Sequence, residues 1–257
     1  MSGDHDGLIW PLRLASLGVR VQIDLGRSNA LVWRIQGEET LFVKAEPIHP
    51  LGELPGEVKR LGWLALTPVP APRVRDSFDE GGFAWLLMTA LPGADLSQMA
   101  DRPVELCHAL AAGLKTLHAL DPAGCPFDHR LDAQQAKGAA NFAAGLVDET
   151  DFDDARQGWT AQQVLDWLLQ HRLGSEDLVV THGDASLPNI MANDDAFAGF
   201  IDVGRLGVAD RWQDLGLACR SLIHNCGREH VAPFLDAYGA KWDEARYRYY
   251  CTLDELF

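Results

Sequence analysis

The sequence is short of positive charge. It carries 22 Lys and Arg against 37 Asp and Glu, a formal net charge of −15. Nucleic acids and anionic membrane surfaces are gripped by cationic faces, so neither is an expected partner, whereas a cationic ligand suits this balance. Cysteine is sparse as well. Cys107, Cys125, Cys219, Cys226 and Cys251 are odd in number, scattered, and never form a C-x-x-C pair. That speaks against a disulfide framework or a structural zinc site and for reduced thiols in a cytoplasmic protein. No run of about 18 apolar residues is present to span a bilayer. The opening MSGDHDGLIWPL is acidic and does not read as a signal peptide. Internal repeats and low-complexity tracts are missing too.

What is present is ordinary globular material, 257 residues with 47% hydrophobic content, enough for one large core or two smaller ones. The first part reads as strands: Val19–Ile23, Ala30–Ile35 and Leu41–Lys44, the last two separated by the turn-like Gln36-Gly37-Glu38-Glu39. Glu53–Leu66 has helical periodicity, Thr67–Pro72 is a proline-rich connection, and Phe83–Ala90 is an apolar strand closed by Leu91-Pro92-Gly93. Beyond it the character becomes helical, with Val104–Leu120, Gln134–Leu146, Ala161–Gln170, Arg211–His224 and Val231–Tyr238. Two short strands, Leu178–Thr181 and Phe197–Ile201, interrupt them, with a turn at Asn193-Asp194-Asp195. The expectation is an α+β chain of two lobes, a β-rich lobe over 1–91 and a mainly helical lobe over 92–257.

The segment with most chemistry is His182-Gly183-Asp184-Ala185-Ser186-Leu187-Pro188-Asn189, directly after the strand Leu178–Thr181. A second, Phe200-Ile201-Asp202-Val203-Gly204-Arg205, follows the hairpin. Phosphoryl transfer needs a carboxylate to orient the attacking hydroxyl and accept its proton. It also needs oxygen ligands for magnesium, a hard cation that keeps several waters and takes one or two carboxylates. Asp184 fits the base, and Asn189 and Asp202 fit the metal ligands. An isolated Asp or Asn is usually a turn residue, so the weight lies in the joint pattern of strand, H-G-D-x4-N, hairpin and I-D-x-G.

Upstream, Lys44 ends an apolar strand and Glu57 follows within the expected helix. Such a pair aims an ammonium at nucleotide phosphates in kinases. Gly26-Arg27-Ser28-Asn29 fits either a phosphate-covering loop, with the Ser28 hydroxyl and backbone N–H groups as donors, or a plain hairpin turn. Trp33 fits either a base stack or a core position. At the end of the apolar strand, the Thr89 carbonyl and the Leu91 N–H are the groups expected to read an adenine edge, since Pro92 has no N–H to offer.

The runs Val179–Asp184, Pro188–Met191 and Gly199–Asp214 resemble the aminoglycoside 3'-phosphotransferases, the kanamycin and neomycin kinases, as do Cys125-Pro126-Phe127-Asp128-His129 and the terminal Leu253-Asp254-Glu255-Leu256-Phe257. The likeness extends from about Val19 to the last residue. It implies a protein-kinase-like fold, ATP with Mg2+, and transfer of the γ-phosphate to the 3'-hydroxyl of an aminoglycoside, with antibiotic resistance as the outcome. It implies Asp184 as base, Asn189 and Asp202 as magnesium ligands, Lys44 with Glu57 as the phosphate grip, and Ser28 in the nucleotide loop. On the drug side it implies Asp153 and Asp154, Arg205 and Arg220, and Asp254, Glu255 and the Phe257 carboxylate. Several ammonium groups on one ligand call for several carboxylates, which also speed the encounter.

The chain departs from the family after Arg220-Ser221, where acidic side chains are usual and His224-Asn225 stand instead. The acceptor range is what that change touches. Two other readings stay open on the residues alone: a kinase of the same fold for another small alcohol, such as a sugar, choline-like compound or macrolide, and a nucleotide-binding module without turnover. A monomer or weak dimer is expected.

Overall fold

A computed structural model describes residues 8–23 and 30–257. The chain folds as two compact units, Met1–Leu91 and Pro92–Phe257. In the first unit, β1 (Val19–Ile23), β2 (Leu31–Gln36), β3 (Thr40–Pro47), α1 (Leu54–Leu64), β4 (Val74–Glu80) and β5 (Phe83–Thr89) follow one another. The strands form one antiparallel sheet in the order β1-β2-β3-β5-β4. Alternation along β2 and β3 splits the sheet into two faces, because side chains of paired residues lie on the same side. One face carries Trp33, Ile35, Leu41, Val43, Ala45, Trp85 and Leu87 as a core, with Leu14 packed on it. The other carries Lys44, paired in register with Val32 and Leu86.

The strand β4 escaped the sequence reading. Its residues, VRDSFDE, are mostly polar, and they can be so because β4 is a sheet edge with one partner and an exposed outer face.

In the second unit, β6 (Ala94–Asp95) precedes α2 (Pro103–His118), α3 (Leu131–Ala143) and α4 (Ala161–Gln170), then β7 (Leu178–Thr181), β8 (Ile190–Asn193), β9 (Ala196–Phe200) and β10 (Gly207–Asp210), and finally α5 (Trp212–Asn225), α6 (Val231–Tyr238) and α7 (Glu244–Asp254). β7 pairs with β10, and β8 lies between β6 and β9. These short ladders hold the H-G-D-x4-N and I-D-x-G segments, while α2, α5 and α7 supply the core behind them through Leu106, Leu110, Leu114, Leu215, Leu222, Tyr250 and Leu253, each essentially inaccessible to solvent. The helix α7 also went unseen in the sequence. Its residues Tyr249 to Leu253 are all buried, so it lacks the one-sided stripe that periodicity detects. No helix among the described residues is long and apolar enough to cross a membrane.

Candidate active site

In the first unit the Lys44 Nζ donates to both oxygens of Glu57 at 2.9 Å. Both residues are buried, at 8% and 3% exposure. Burying a carboxylate and an ammonium together is tolerated because each neutralises the other. Thr89 ends β5, and Leu91 is the last residue of this unit. The expected loop residue Ser28 lies outside the described residues.

Trp33 is corrected by the structure. Its partner in register is Val43, not Lys44, so it sits on the opposite face of the sheet from the ammonium. There it is 6% exposed, stacked on Trp85 at 6.1 Å and met edge-on by Trp10 at 5.2 Å. It is a core residue, and no base reaches it on that face together with Lys44. The aromatic on the Lys44 side is Phe42, half-buried and paired in register with Arg34 and Met88. A two-residue offset from Lys44 is the signal that would have found it, since residues i and i+2 of a strand share a face.

In the second unit the H-G-D-x4-N loop leaves β7 and returns through a short 3-10 turn to β8. Gly183 has φ +88°, and a Cβ there would stand 2.2 Å from the Arg205 carbonyl oxygen. Only glycine lets the loop lie against the Asp202-Val203-Gly204-Arg205 segment this closely. The His182 Nδ1 accepts from the Asp184 N–H at 3.3 Å, and the His182 Nε2 donates to the Ile201 carbonyl at 2.9 Å. This pattern defines the neutral Nε2–H tautomer.

The Asn189 amide group donates to the Asp184 Oδ2 at 2.8 Å and to the Asp184 carbonyl at 3.1 Å. The Ile201 N–H donates to the Asn189 carbonyl at 2.9 Å, which brings Asn189 beside Asp202. Asp202 itself holds φ 57° and ψ 52°, a left-handed conformation that is costly for a residue with a Cβ. Asp184, Asn189 and Asp202 are therefore gathered in one place. Burial, and then the Asp254 carboxylate, push the Asp184 carboxyl above its ordinary range, and the Arg205 guanidinium opposes them. A base whose pKa is drawn upward is better matched to taking a proton near neutrality.

Around it stands a mixed charge cluster. Arg205 pairs with the Asp254 Oδ1 at 2.7 Å, and its guanidinium lies 4.6 Å over the Phe257 ring. Arg220 reaches the other Asp254 oxygen, the Glu255 Oε1 at 3.6 Å and the Asp153 Oδ2 at 3.9 Å. Asp153 also takes Arg156 at 2.5 Å and belongs to a run of turns rather than a helix. Asp154 is exposed and makes no ion pair among the described residues, so the structure does not gather it with the others. Burial works against ionisation of Asp254, but Arg205 and Arg220 outweigh it and hold the pKa down at about 2. Glu255 goes the other way: burial and the nearby Asp153 raise it to about 7.

Known proteins place this arrangement. Residues 20–250 match the phosphotransferase enzyme family. An aminoglycoside 3'-phosphotransferase of Streptomyces fradiae is 37% identical over 251 residues, covering 91% of this chain and 94% of that protein. A crystal structure of an aminoglycoside-3'-phosphotransferase of type VIII superposes with a TM-score of 0.85 at 37% identity, over 93% of each chain. An aminoglycoside phosphotransferase from Streptomyces rimosus, solved with ADP and streptomycin, gives 0.81 at 26% identity, over 95% of this chain and 94% of that one. A match over nearly the whole chain, with a protein-kinase-like architecture and an H-G-D-x4-N loop folded around one carboxylate, leaves one assignment: the chain belongs to the phosphotransferase enzyme family, among the aminoglycoside 3'-phosphotransferases.

Proposed function

We propose that this protein transfers the γ-phosphoryl group of ATP to the 3'-hydroxyl of an aminoglycoside of the kanamycin and neomycin type, and so confers resistance to it. The observation that carries the reading is the Asp184 carboxylate, fixed by Asn189 at 2.8 Å and set beside a cluster of further carboxylates. The Asp184 carboxylate orients the acceptor hydroxyl and takes its proton as that oxygen bonds to phosphorus. Lys44, steadied by Glu57, holds the nucleotide phosphates, with Thr89 and Leu91 at the adenine edge and Phe42 beneath the base.

Asn189 and Asp202 suit Mg2+. Asn189 commits its N–H groups to Asp184, which leaves its amide oxygen as a hard ligand beside the Asp202 carboxylate. These two side chains are the ones that would hold the ion. A magnesium ion held by Asn189 and Asp202 would supply neutralisation of phosphate charge.

Asp153, Asp254 and Glu255 take the acceptor ammonium groups, with Arg205 and Arg220 holding the carboxylates in place. Phosphate transfer from labelled ATP to a panel of aminoglycosides with and without a 3'-hydroxyl tests this. Modification confined to compounds that have the hydroxyl is expected; a panel without product would sink the reading. Streptomycin belongs in the panel because of the Streptomyces rimosus relative solved with it. Preferential transfer to streptomycin would move the acceptor assignment while keeping the chemistry.

A further inference from the structure

The buried ion pair of the first unit takes its carboxylate from the first turn of a helix that does not cap itself. Glu53, the residue that opens α1, makes no side-chain hydrogen bond to that turn. A helix leaves its first N–H groups without partners of its own. Pro55, in the first turn, removes one such group. Two others are taken by a residue of the preceding strand. The Glu46 Oε1 accepts from the Glu53 N–H at 3.0 Å, and its Oε2 accepts from the Leu54 N–H at 2.8 Å. A carboxylate in this place also meets the positive end of the helix dipole.

Glu46 lies two residues beyond Lys44 on β3, so both side chains rise from one face of the sheet. The backbone beneath them is fixed by pairing with β5, Lys44 opposite Leu86 and Glu46 opposite Ala84. One strand therefore holds α1 at two points: Glu46 at the first N–H groups and Lys44 at the Glu57 carboxylate, 2.9 Å from each oxygen. The two holds differ in kind. An ammonium on a flexible four-carbon stem follows wherever its carboxylate goes, so the ion pair alone does not fix the Lys44 Nζ. Two directional bonds from one carboxylate to consecutive backbone N–H groups do fix the start of the helix, and with it Glu57. The site is also cleared for that carboxylate. A Cβ at Gly52 would stand 2.9 Å from the Glu46 Oε2 and 3.1 Å from the His49 carbonyl oxygen.

We propose that Glu46 is a positioning residue for the nucleotide grip: it caps α1 from β3, which sets where Glu57 stands and so where the Lys44 ammonium points. The inference rests on the reading of Lys44 and Glu57 as the groups that hold the nucleotide phosphates. Glu46 acts through Glu57, not on the nucleotide.

The test compares Glu46→Ala with Glu46→Gln, which keeps one acceptor oxygen, and repeats Glu46→Ala in a Glu57→Ala background. Two readouts are taken on the full-length protein: hydrogen exchange at the Glu53 and Leu54 amides by NMR, and steady-state kinetics per folded molecule. Glu46→Ala is expected to speed exchange at those two amides by about tenfold relative to β3. It should also lower kcat/KM for ATP by about tenfold, with the acceptor KM within about twofold of wild type. Glu46→Gln should lose only about threefold. With Glu57 already removed, no carboxylate is left to position, and Glu46→Ala should change kcat/KM for ATP by less than about twofold. Unchanged exchange, an unchanged kcat/KM for ATP, an equal rise in the acceptor KM, a Gln variant as impaired as Ala, or a tenfold loss that persists without Glu57 would each overturn the proposal. A wild-type protein that binds ATP without turnover would count against the proposed activity alone, and ATP affinity by calorimetry across the same variants would then decide the positioning. A wild type that binds no ATP would overturn both.

Discussion

The loop that carries Asp184 and the cluster of Asp153, Arg205, Arg220, Asp254 and Glu255 stand side by side, yet they are built on opposite plans. The loop is held by directional hydrogen bonds to backbone atoms: Asp214 on two N–H groups, Gln213 on a carbonyl, His182 on Ile201, Asn189 on Asp184. Each bond fixes a position, and none of these contacts has to open for a substrate. The cluster is held by charge. Its carboxylates are shared among three arginines, and its two terminal acids are driven apart in pKa, one down to about 2 and one up to about 7. On the proposed reading, rigid hydrogen bonding serves the bond-making step and redistributable charge serves acceptor capture.

The largest effect that separates the two plans is expected from Asp184→Ala, which should cut kcat by about 10²- to 10⁴-fold, the range for loss of a general base. Steady-state kinetics would show it, and a residual kcat near wild type would place the base elsewhere. Next comes the buried pair of the first unit. Lys44→Ala deprives the buried Glu57 carboxylate of its ammonium, and breaking such a pair costs about 3–5 kcal/mol, measurable by urea unfolding. Trp33→Ala should cost a similar ~3–5 kcal/mol as a core truncation, with the ATP KM of the folded enzyme unchanged, whereas Phe42→Ala should raise that KM. Equal KM effects would return Trp33 to the nucleotide side.

The smallest effect concerns Glu255 and pH. Its folded pKa is raised from 4.5 to about 7, so its contribution to stability is fully present below 4.5 and is lost as pH rises through about 7. An ammonium-bearing acceptor prefers the ionised form, so the acceptor KM should fall over the same rise. Glu255→Gln is expected to flatten both profiles, as read by thermal unfolding and by KM against pH. Profiles identical to wild type would remove Glu255 from the cluster's titration.

Much of this was legible in the sequence because chemistry and local pattern coincide there. The H-G-D-x4-N and I-D-x-G segments placed Asp184, Asn189 and Asp202 together, and an apolar strand ending in Lys44 located the pair with Glu57. What was hidden depended on the third dimension. Trp33 turned out to face the core because strand register decides the side, and register was set by its pairing with Val43. His118 lies 96 positions from Asp214, and nothing local announces their contact. The tail read as an acidic binding segment, yet Leu256 is fully buried and its carbonyl accepts from Asn141 at 2.9 Å. Removal of the tail would therefore injure the fold as well as the site, which is why single substitutions discriminate better.

The division between a loop for chemistry and a cluster for capture is tested most directly by rapid-quench single turnovers at saturating ATP and acceptor, comparing Asp184→Ala with Glu255→Gln. The account predicts a chemical step slowed by about 10²- to 10⁴-fold in the first and left within about twofold of wild type in the second. A chemical step slowed equally in both, or preserved in Asp184→Ala, would contradict it.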